Sequence, residues 1–207
     1  SAANNARAQG GEPAEEANRI GTSEFKRTTA YVQAIVQVDT GSEQLGNMSP
    51  EALVDTIVQI VETESPVHMD DVIRRVTHGA GLQRAGTRIQ NVISRAIGLA
   101  ARRNLVRKKQ SLLWRSERHK PSVRDRSDLP SQDKKLDRVS PEEIAYALLG
   151  VVRRNYSLSE DHAISETAKD LGFHRVTTAM HEQLLRILNA LIAKELLLRD
   201  EGIISIR

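Results

Sequence analysis

The stretch that decides the fold runs from residue 79 to residue 115 and reads GAGLQRAGTRIQNVISRAIGLAARRNLVRKKQSLLWR. Its glycines indicate a tight turn, and the residues from about Ala85 to Arg103 place apolar side chains on one face of a helix. These apolar residues are Ile89, Val92, Ile93, Ala96, Ile97 and Ala100. Two short apolar runs then flank a turn at Gln110-Ser111, which predicts a β-hairpin. The stretch is therefore typical of a helix-turn-helix followed by a hairpin.

Two helices precede the hairpin-forming stretch, and the second of them leads into its glycine turn. Ser49 is a good N-cap, and Pro50 stands at the first helical position, where proline is tolerated. A break at Ser65-Pro66 ends this first helix. Its predicted core residues are Leu53, Ile57, Ile60 and Val61, and those of the second helix are Val72, Ile73 and Val76. Three helices and a small hairpin predict a winged helix.

The same organisation returns further along the chain. Shifting the sequence by 91 residues aligns it with itself without a gap, and Ser49-Pro50-Glu51 falls on Ser140-Pro141-Glu142. The sequence therefore predicts a mainly α fold with small β-hairpin wings, formed by tandem winged helix-turn-helix domains. The expected organisation is a flexible lead-in or linker from upstream domains at 1–48, winged helix 1 at 49–115, a charged linker at 116–139 and winged helix 2 at 140–207.

The positive charge is concentrated in winged helix 1. The chain holds 30 Lys and Arg against 27 Asp and Glu, a formal net charge of +3. Winged helix 1 holds 11 basic and 6 acidic residues, whereas winged helix 2 holds 8 and 10. A local excess of basic residues in a nearly neutral chain indicates an anionic partner.

One face of the third helix of winged helix 1 is predicted to bind DNA. At about 100° per residue its polar side chains gather opposite the apolar face. Guanidinium groups bridge phosphates or guanine edges, asparagine binds adenine, and wing residues reach a neighbouring phosphate or the minor groove. The predicted DNA-binding residues are Arg84, Thr87, Arg88, Asn91, Arg95, Arg102, Arg107, Lys108 and Lys109. The alternative is that a surface helix needs a polar face and that arginine is a good helix former.

Winged helix 2 provides an internal comparison for this prediction. The residues aligned with Arg84, Arg88, Asn91, Arg95 and Arg102 are Arg175, Ala179, Glu182, Arg186 and Ala193. The wing turn of this copy is Asp200-Glu201-Gly202. Because carboxylates repel phosphate, we expect the second copy to pack or to contact protein rather than to bind DNA by itself.

The segments around winged helix 1 carry less specific patterns. Residues 31–38, YVQAIVQV, are compatible with a short strand or a helical turn. The linker contains seven basic residues, which we expect to be solvated; nonspecific affinity for DNA is the alternative. These residues are Arg118, Lys120, Arg124, Arg126, Lys134, Lys135 and Arg138.

Several function classes are excluded by composition and motifs. The absence of cysteine excludes disulfides, thiolate catalysis and Cys-ligated zinc. An aromatic fraction of 3% argues against a stacking platform for single-stranded nucleic acid. The chain has neither a phosphate-binding loop nor a nucleophile–base pair, so we expect no catalytic residue, no metal and no cofactor in this segment.

For some residues a structural role explains the pattern better than a functional role does. His162, His174 and His181 lack the partners of a zinc site and are expected on helix surfaces. Asp70-Asp71 and Glu142-Glu143 are expected to favour the helix dipole in first turns, and Ser140 with Glu143 forms a capping-box pattern. Trp114 is expected to cover the core of winged helix 1.

No apolar run approaches the length of a bilayer span, and no charged-then-apolar leader opens the chain. The first residue is Ser rather than Met, which suggests a fragment of a longer protein. We therefore expect a cytoplasmic module without membrane contact.

The wider pattern resembles a known family. It comprises SPVHMDDVIRRV, GLQRAGTRIQNVI, RRNLVRKKQSLLW, VRDR at Val123–Arg126, SPEEIAYALLGVV and LGFHR. This pattern, over about residues 49–207, resembles the C-terminal domain, of unknown function, of large bacterial superfamily I DNA helicase proteins. In those proteins the domain follows the helicase motor and a Vsr-like nuclease-fold domain.

The resemblance implies an accessory DNA-binding module of an ATP-dependent helicase, in DNA repair or in defence against foreign DNA. Together with the basic third helix of winged helix 1, it leads us to expect a module that holds double-stranded or junction DNA for the upstream helicase domains of the same polypeptide. The resemblance carries no catalytic residue over to this segment. One alternative is a tandem winged-helix module that docks proteins without touching DNA. Another is a fragment that completes a nuclease site in trans.

Overall fold

The architecture is mainly α-helical with small sheets. The computed structural model describes residues 28–41, 44–117 and 122–207. In chain order its strands and α-helices are β1 (Thr29–Ala30), α1 (Val54–Glu64), β2 (Val67–His68), α2 (Met69–Gly79), α3 (Thr87–Arg102), β3 (Val106–Lys109), β4 (Leu112–Arg115), β5 (Arg124–Asp125), α4 (Pro141–Asn155), β6 (Ser157–Ser159), α5 (Glu160–Asp170), α6 (Thr178–Ala193), β7 (Leu197–Asp200) and β8 (Ile203–Ile206). Short 3-10 helices lie at Leu45–Asn47, Pro50–Leu53 and Leu136–Arg138. None of the helices in the described ranges combines the length and the apolar character of a membrane span.

The first unit packs three helices, α1 to α3, against an antiparallel sheet with the strand order β2-β4-β3. The Ser49 hydroxyl accepts a hydrogen bond from the Ala52 amide (3.3 Å), which confirms the predicted N-cap. The turn that follows is a 3-10 helix, Pro50–Leu53, which runs directly into α1. The fully buried core includes Leu53, Ile57, Ile60, Val72, Ile93 and Ile97.

Every element of the first unit from residue 45 onwards has a counterpart 91 residues later. The helices α3 and α6 both have 16 residues, and the hairpin β3–β4 matches β7–β8 residue for residue. Positive φ angles repeat in the pairs Gly81 and Gly172, Asn104 and Glu195, and Gln110 and Glu201. The 3-10 helix Leu45–Asn47 matches Leu136–Arg138. The structural repeat therefore begins ahead of the predicted start at Ser49.

The described part of the predicted lead-in packs onto the rest of the chain. The strand β1 pairs in parallel with β5, with Thr29 opposite Arg124. Ala34 and Val36 are buried in the first core. This segment passes so close to α2 that a Cβ on Gly79 would lie 2.8 Å from the carbonyl oxygen of Val36. A residue with a side chain at position 79 would therefore displace the segment.

Parts of the predicted linkers lie outside the described residues. These parts are residues 1–27, 42–43 and 118–121, the last including Arg118 and Lys120. Residues 31–38, for which a strand and a helical turn were the alternatives, belong to neither kind of element.

The predicted charged linker contains a buried ionic joint, and the expectation that Arg124 and Arg126 are solvated is wrong. They are 7% and 5% exposed, and both pair with the fully buried Glu143 in the first turn of α4, at 2.6 Å and 2.9 Å. Burial alone would raise the pKa of Glu143, but Arg126 and Arg124 lower it to about 2. Glu143 also forms half of the predicted capping box, because its amide donates to the Ser140 hydroxyl while its carboxylate is held by the arginines.

The buried ionic joint of Arg124, Arg126 and Glu143 also connects the second unit with the end of α1. Nη1 of Arg124 donates to the backbone carbonyl oxygen of Glu64 (2.6 Å). The guanidinium carbons of Arg124 and Arg126 lie 4.9 Å and 4.7 Å from the centroid of the Tyr31 ring, as in cation–π pairs. The Tyr31 hydroxyl donates to the Glu64 carboxylate (2.7 Å), and burial together with this carboxylate raises the pKa of Tyr31. Glu64 pairs in addition with Arg75 (2.9 Å).

The ion pairs of Arg138 also contradict the expectation that the basic linker residues are solvated. Its Nη1 lies 2.6 Å from a carboxylate oxygen of Asp71, and its Nη2 lies 3.4 Å from Asp70. Asp133 of the linker pairs with Arg74 (2.8 Å). The two aspartates at the start of α2 thus bind a linker arginine in addition to facing the helix dipole. Of the other described linker cations, Lys134 donates to the Ser127 carbonyl oxygen and Lys135 is exposed.

Candidate nucleic-acid interface

The helix α3 is positioned by a turn on each side. It begins after Gly86, whose extended backbone (φ −68°, ψ 168°) delays the start beyond the predicted Ala85. It ends at Arg102, shortly before Asn104 adopts a φ of 56°. The predicted core residues Val92, Ile93, Ala96, Ile97 and Ala100 are buried, whereas Ile89 is partly exposed. The apolar face of α3 is therefore fixed against the core.

The opposite face of α3 is exposed. The exposed residues are Thr87, Arg88, Asn91, Arg95 and Arg102, together with Arg84 in the preceding turn. Arg88, Arg95 and Arg102 are spaced by seven residues and so form a row nearly parallel to the helix axis, with about 10.5 Å between neighbours. We call these three residues the arginine row.

The described part of the chain supplies no ion-pair partner to the arginine row or to Arg84. The local sequence explains this, because residues 72–116 contain 11 Lys and Arg and no Asp or Glu. The aligned residues 163–207 contain six basic and six acidic residues. The arginine row and Arg84 therefore form a positive surface without ion-pair partners among the described residues, whereas the aligned segment of the second unit has no net charge.

The predicted wing residues differ in their surroundings. Arg107, Lys108 and Lys109 are all exposed. Nε of Arg107 donates to the carbonyl oxygen of Arg115 (3.0 Å) across the hairpin. Nζ of Lys109 lies 2.8 Å from the Glu142 carboxylate of the second unit. Lys109 is thus already paired, which differs from the expectation that it is available to DNA, whereas Lys108 has no described carboxylate partner.

A groove of about 630 Å³ runs beside the arginine row. It is lined by Pro50, Glu51, Asn91, Ser94, Arg95, Gly98, Leu99 and Arg102. A Cβ on Gly98 would meet only Arg102, in an ordinary contact at 3.5 Å, so the groove has space for a small side chain at this position. Glu51 places one exposed carboxylate along a groove that is otherwise cationic.

Sequence reasoning missed one residue of this face, Gly46. A Cβ on Gly46 would lie 3.3 Å from Cγ of Arg88 and 3.4 Å from its Cδ, so the stem of Arg88 rests on the 3-10 helix Leu45–Asn47. In the second unit the aligned pair is Asp137 and Ala179. The repeat itself could have revealed Gly46, because it extends upstream of Ser49. The copy with an arginine at position 88 has glycine at position 46, whereas the copy with Ala179 has Asp137.

The other candidate residues lie apart from this face. His162 and His181 are at 3.7 Å and 3.3 Å from Glu166 and Asp161 respectively, and His174 is exposed. The described residues contain no group of three or more metal-ligating side chains.

The face of the second unit that aligns with the arginine row is exposed too. Its residues are Arg175, Ala179, Glu182, Arg186 and Ala193. Trp114 is 7% exposed, but it lies outside the main core cluster of the first unit.

Comparison with known proteins finds a match to part of the first unit. Residues 45–91 match a family described as "Protein of unknown function (DUF3320)". The match begins at the 3-10 helix Leu45–Asn47, where the structural repeat begins, and extends into α3. No curated protein and no solved structure matches the chain.

Proposed function

We propose that the chain is an accessory DNA-binding module of a bacterial ATP-dependent DNA helicase or nuclease-type protein, and that its first unit binds double-stranded or junction DNA. The observation that carries the proposal is the exposed arginine row, for which the described residues provide no carboxylate within ion-pair distance. The module itself performs no reaction. It holds or orients DNA for the upstream helicase domains of the same polypeptide.

In this proposal each unit is a winged helix-turn-helix domain. The helices α2 and α3, joined through the turn at Gly81, form the helix-turn-helix, and the hairpin β3–β4 forms the wing. The order of three helices and a three-stranded antiparallel sheet supports this interpretation. The exposed face of α3 then lies along the major groove.

The chemistry of the face suits a duplex. Arg88 and Arg95 present planar forks that bind a phosphate or the edge of guanine with two hydrogen bonds, and Asn91 binds adenine. Arg84 and Lys108 add phosphate contacts at either side of the helix. No described aromatic side chain lies on this face, and single-stranded DNA is bound mainly by stacking on aromatic rings. We therefore propose duplex rather than single-stranded DNA as the ligand.

A charge-reversal comparison between the two units tests the proposal. The variant Arg88→Glu with Arg95→Glu is compared with its matched control, Arg175→Glu with Arg186→Glu, by fluorescence anisotropy with labelled duplex, forked and single-stranded DNA. All four arginines are exposed, so both variants are expected to fold. We expect the first variant to lose binding and the second to keep most of it.

Salt dependence provides a second readout. Each phosphate neutralised contributes roughly −0.9 to the slope of log affinity against log salt. The arginine row and Arg84 together are therefore expected to give a slope of about −3 to −4. Equal losses from both charge-reversal variants, with folding unchanged, would refute the assignment of DNA binding to the first unit.

The alternative function is a protein-docking module without direct DNA contact. The observation that favours it is the exposure of Leu198 and Ile203, which are 45% and 43% exposed on the sheet of the second unit. The absence of duplex binding at low salt would favour this alternative over the first.

A further inference from the structure

The two sheets of the repeat differ in what lies over their outer faces. In the first sheet Leu113 is fully buried in the core, so its neighbours Leu112 and Trp114 point to the opposite, outer face. Lys109 pairs directly with Leu112 across the strands and therefore lies on the same outer face. Leu112 and Trp114 are nevertheless only 8% and 7% exposed. The outer face of the first sheet is thus a buried surface.

The first turn of α4 contacts this outer face. Glu142, in the first turn of α4, is the carboxylate that pairs with Lys109. All residues of α4 from Glu142 to Val152 are buried. Tyr146, one turn after Glu142, is buried without belonging to the core cluster of the second unit. Because a helix buried on all sides must contact more than one surface, α4 packs in the second core and also faces the first unit, where its Glu142 pairs with Lys109.

The equivalent face of the second sheet is exposed. Ile203 is aligned with Leu112 and is 43% exposed, compared with 8% for Leu112. Leu198, aligned with Arg107, is 45% exposed. Asp200, aligned with Lys109, is exposed as well. The outer face that is buried in the first unit therefore has an exposed counterpart in the second.

We infer that the outer face of the second sheet, formed by Leu198, Asp200, Ile203 and Ser205, binds an amphipathic helix of a partner protein that carries a basic residue. The first sheet shows the mode of binding, since its Lys109 receives an acidic helix residue. Asp200 stands at the position of Lys109 and carries the opposite charge. The matching residue of the partner helix is therefore Lys or Arg. Ser205 replaces the bulky Trp114 and leaves room for a large apolar side chain of the partner.

The corresponding helix of a second copy of this chain does not fit the same face. The helix that would correspond to α4 in another copy's first unit is α1 with its leading turn. Its exposed residues include Glu51, Asp55 and Glu62. These carboxylates would meet Asp200 and the neighbouring Glu201, and like charges at an interface are unfavourable. The inference is independent of DNA binding, which involves the first unit.

Two peptides that differ only at position 142 test the inference on the full chain. Both contain residues 141–155, with the core residues substituted as Ile144→Gln, Leu148→Gln and Val151→Gln so that the side bearing Tyr146 remains apolar. One keeps Glu142 and the other carries Glu142→Lys. Binding is followed by NMR of the Leu and Ile methyl groups of the chain.

We expect the lysine peptide to shift the methyl signals of Leu198 and Ile203 and to bind about fivefold more tightly than the glutamate peptide, as one exposed ion pair allows. In the Asp200→Lys chain this order should reverse. The variant Ile203→Asp should abolish binding, whereas Leu105→Asp, at a residue 38% exposed in the first unit, should leave it unchanged. Equal affinity of the two peptides for both chains, or no shift at Leu198 and Ile203, overturns the inference.

Discussion

The aliphatic stem of Arg88 packs on the backbone of Gly46. A Cβ on residue 46 would lie only 3.3 Å from Cγ of Arg88. This contact orients the first guanidinium group of the arginine row. The φ angle of Gly46 is not positive, so a larger residue there acts through contact with Arg88 rather than through backbone strain.

Gly46→Val is expected to weaken duplex binding about fivefold and to reduce the magnitude of the salt slope by roughly 0.9, the value of one phosphate contact. The measurement is anisotropy over a range of salt concentrations. In the Arg88→Ala background the same substitution should have no further effect. A loss of equal size in both backgrounds would show that Gly46 does not act through Arg88.

Glu51→Gln is expected to strengthen duplex binding roughly twofold, the size of one exposed charge interaction. The physical reason is that Glu51 lines the groove beside Arg95 and Arg102 and repels a phosphate placed there. The matched control is Asp55→Asn, which removes an exposed carboxylate outside the groove. An equal gain from both variants would indicate an effect of net charge alone.

Glu143→Gln is expected to lower the free energy of unfolding by about 3–5 kcal/mol, because it leaves the buried guanidinium groups of Arg124 and Arg126 without their carboxylate. Urea denaturation measures this change. Glu142→Gln is the neighbouring control: its partner Lys109 has a side chain that is 58% exposed, so the expected cost is about 0–1 kcal/mol. Similar costs for the two variants would contradict the role of the buried joint.

Acid is expected to remove the contribution of Glu143 to stability. Its pKa is lowered from an ordinary 4.5 to about 2, so the stabilisation is complete above pH 4.5 and is lost as the pH falls towards 2. The difference in unfolding free energy between the natural chain and Glu143→Gln should therefore shrink over this interval. A difference that stays constant down to pH 2 would argue against the lowered pKa.

Local patterns in the sequence predicted the regular elements well. The N-cap at Ser49 and the apolar spacing of α3 are set by residues within one or two helical turns, so they are readable along the chain. The shift of 91 residues likewise relates aligned positions such as Lys109 and Asp200 without reference to tertiary structure.

The ionic joint could not be predicted in this way. Arg124 and Arg126 lie in an irregular polar segment, and such segments are usually solvated. Their burial depends on Glu143, 19 and 17 residues away, and that of Arg138 on Asp71, 67 residues away. Glu143 itself has the spacing of a capping-box acid, but two arginines outcompete a single backbone amide for its carboxylate.

The parallel pairing of β1 with β5 has a mechanical consequence. Tension applied to the chain at Thr29 acts along the strands and loads the hydrogen bonds to the β5 segment in shear. Arg124 belongs to that segment and is clamped to Glu143, so the load passes directly into α4 rather than into the α1–α3 bundle alone. Tension at Thr29 therefore reaches the second unit as well as the first.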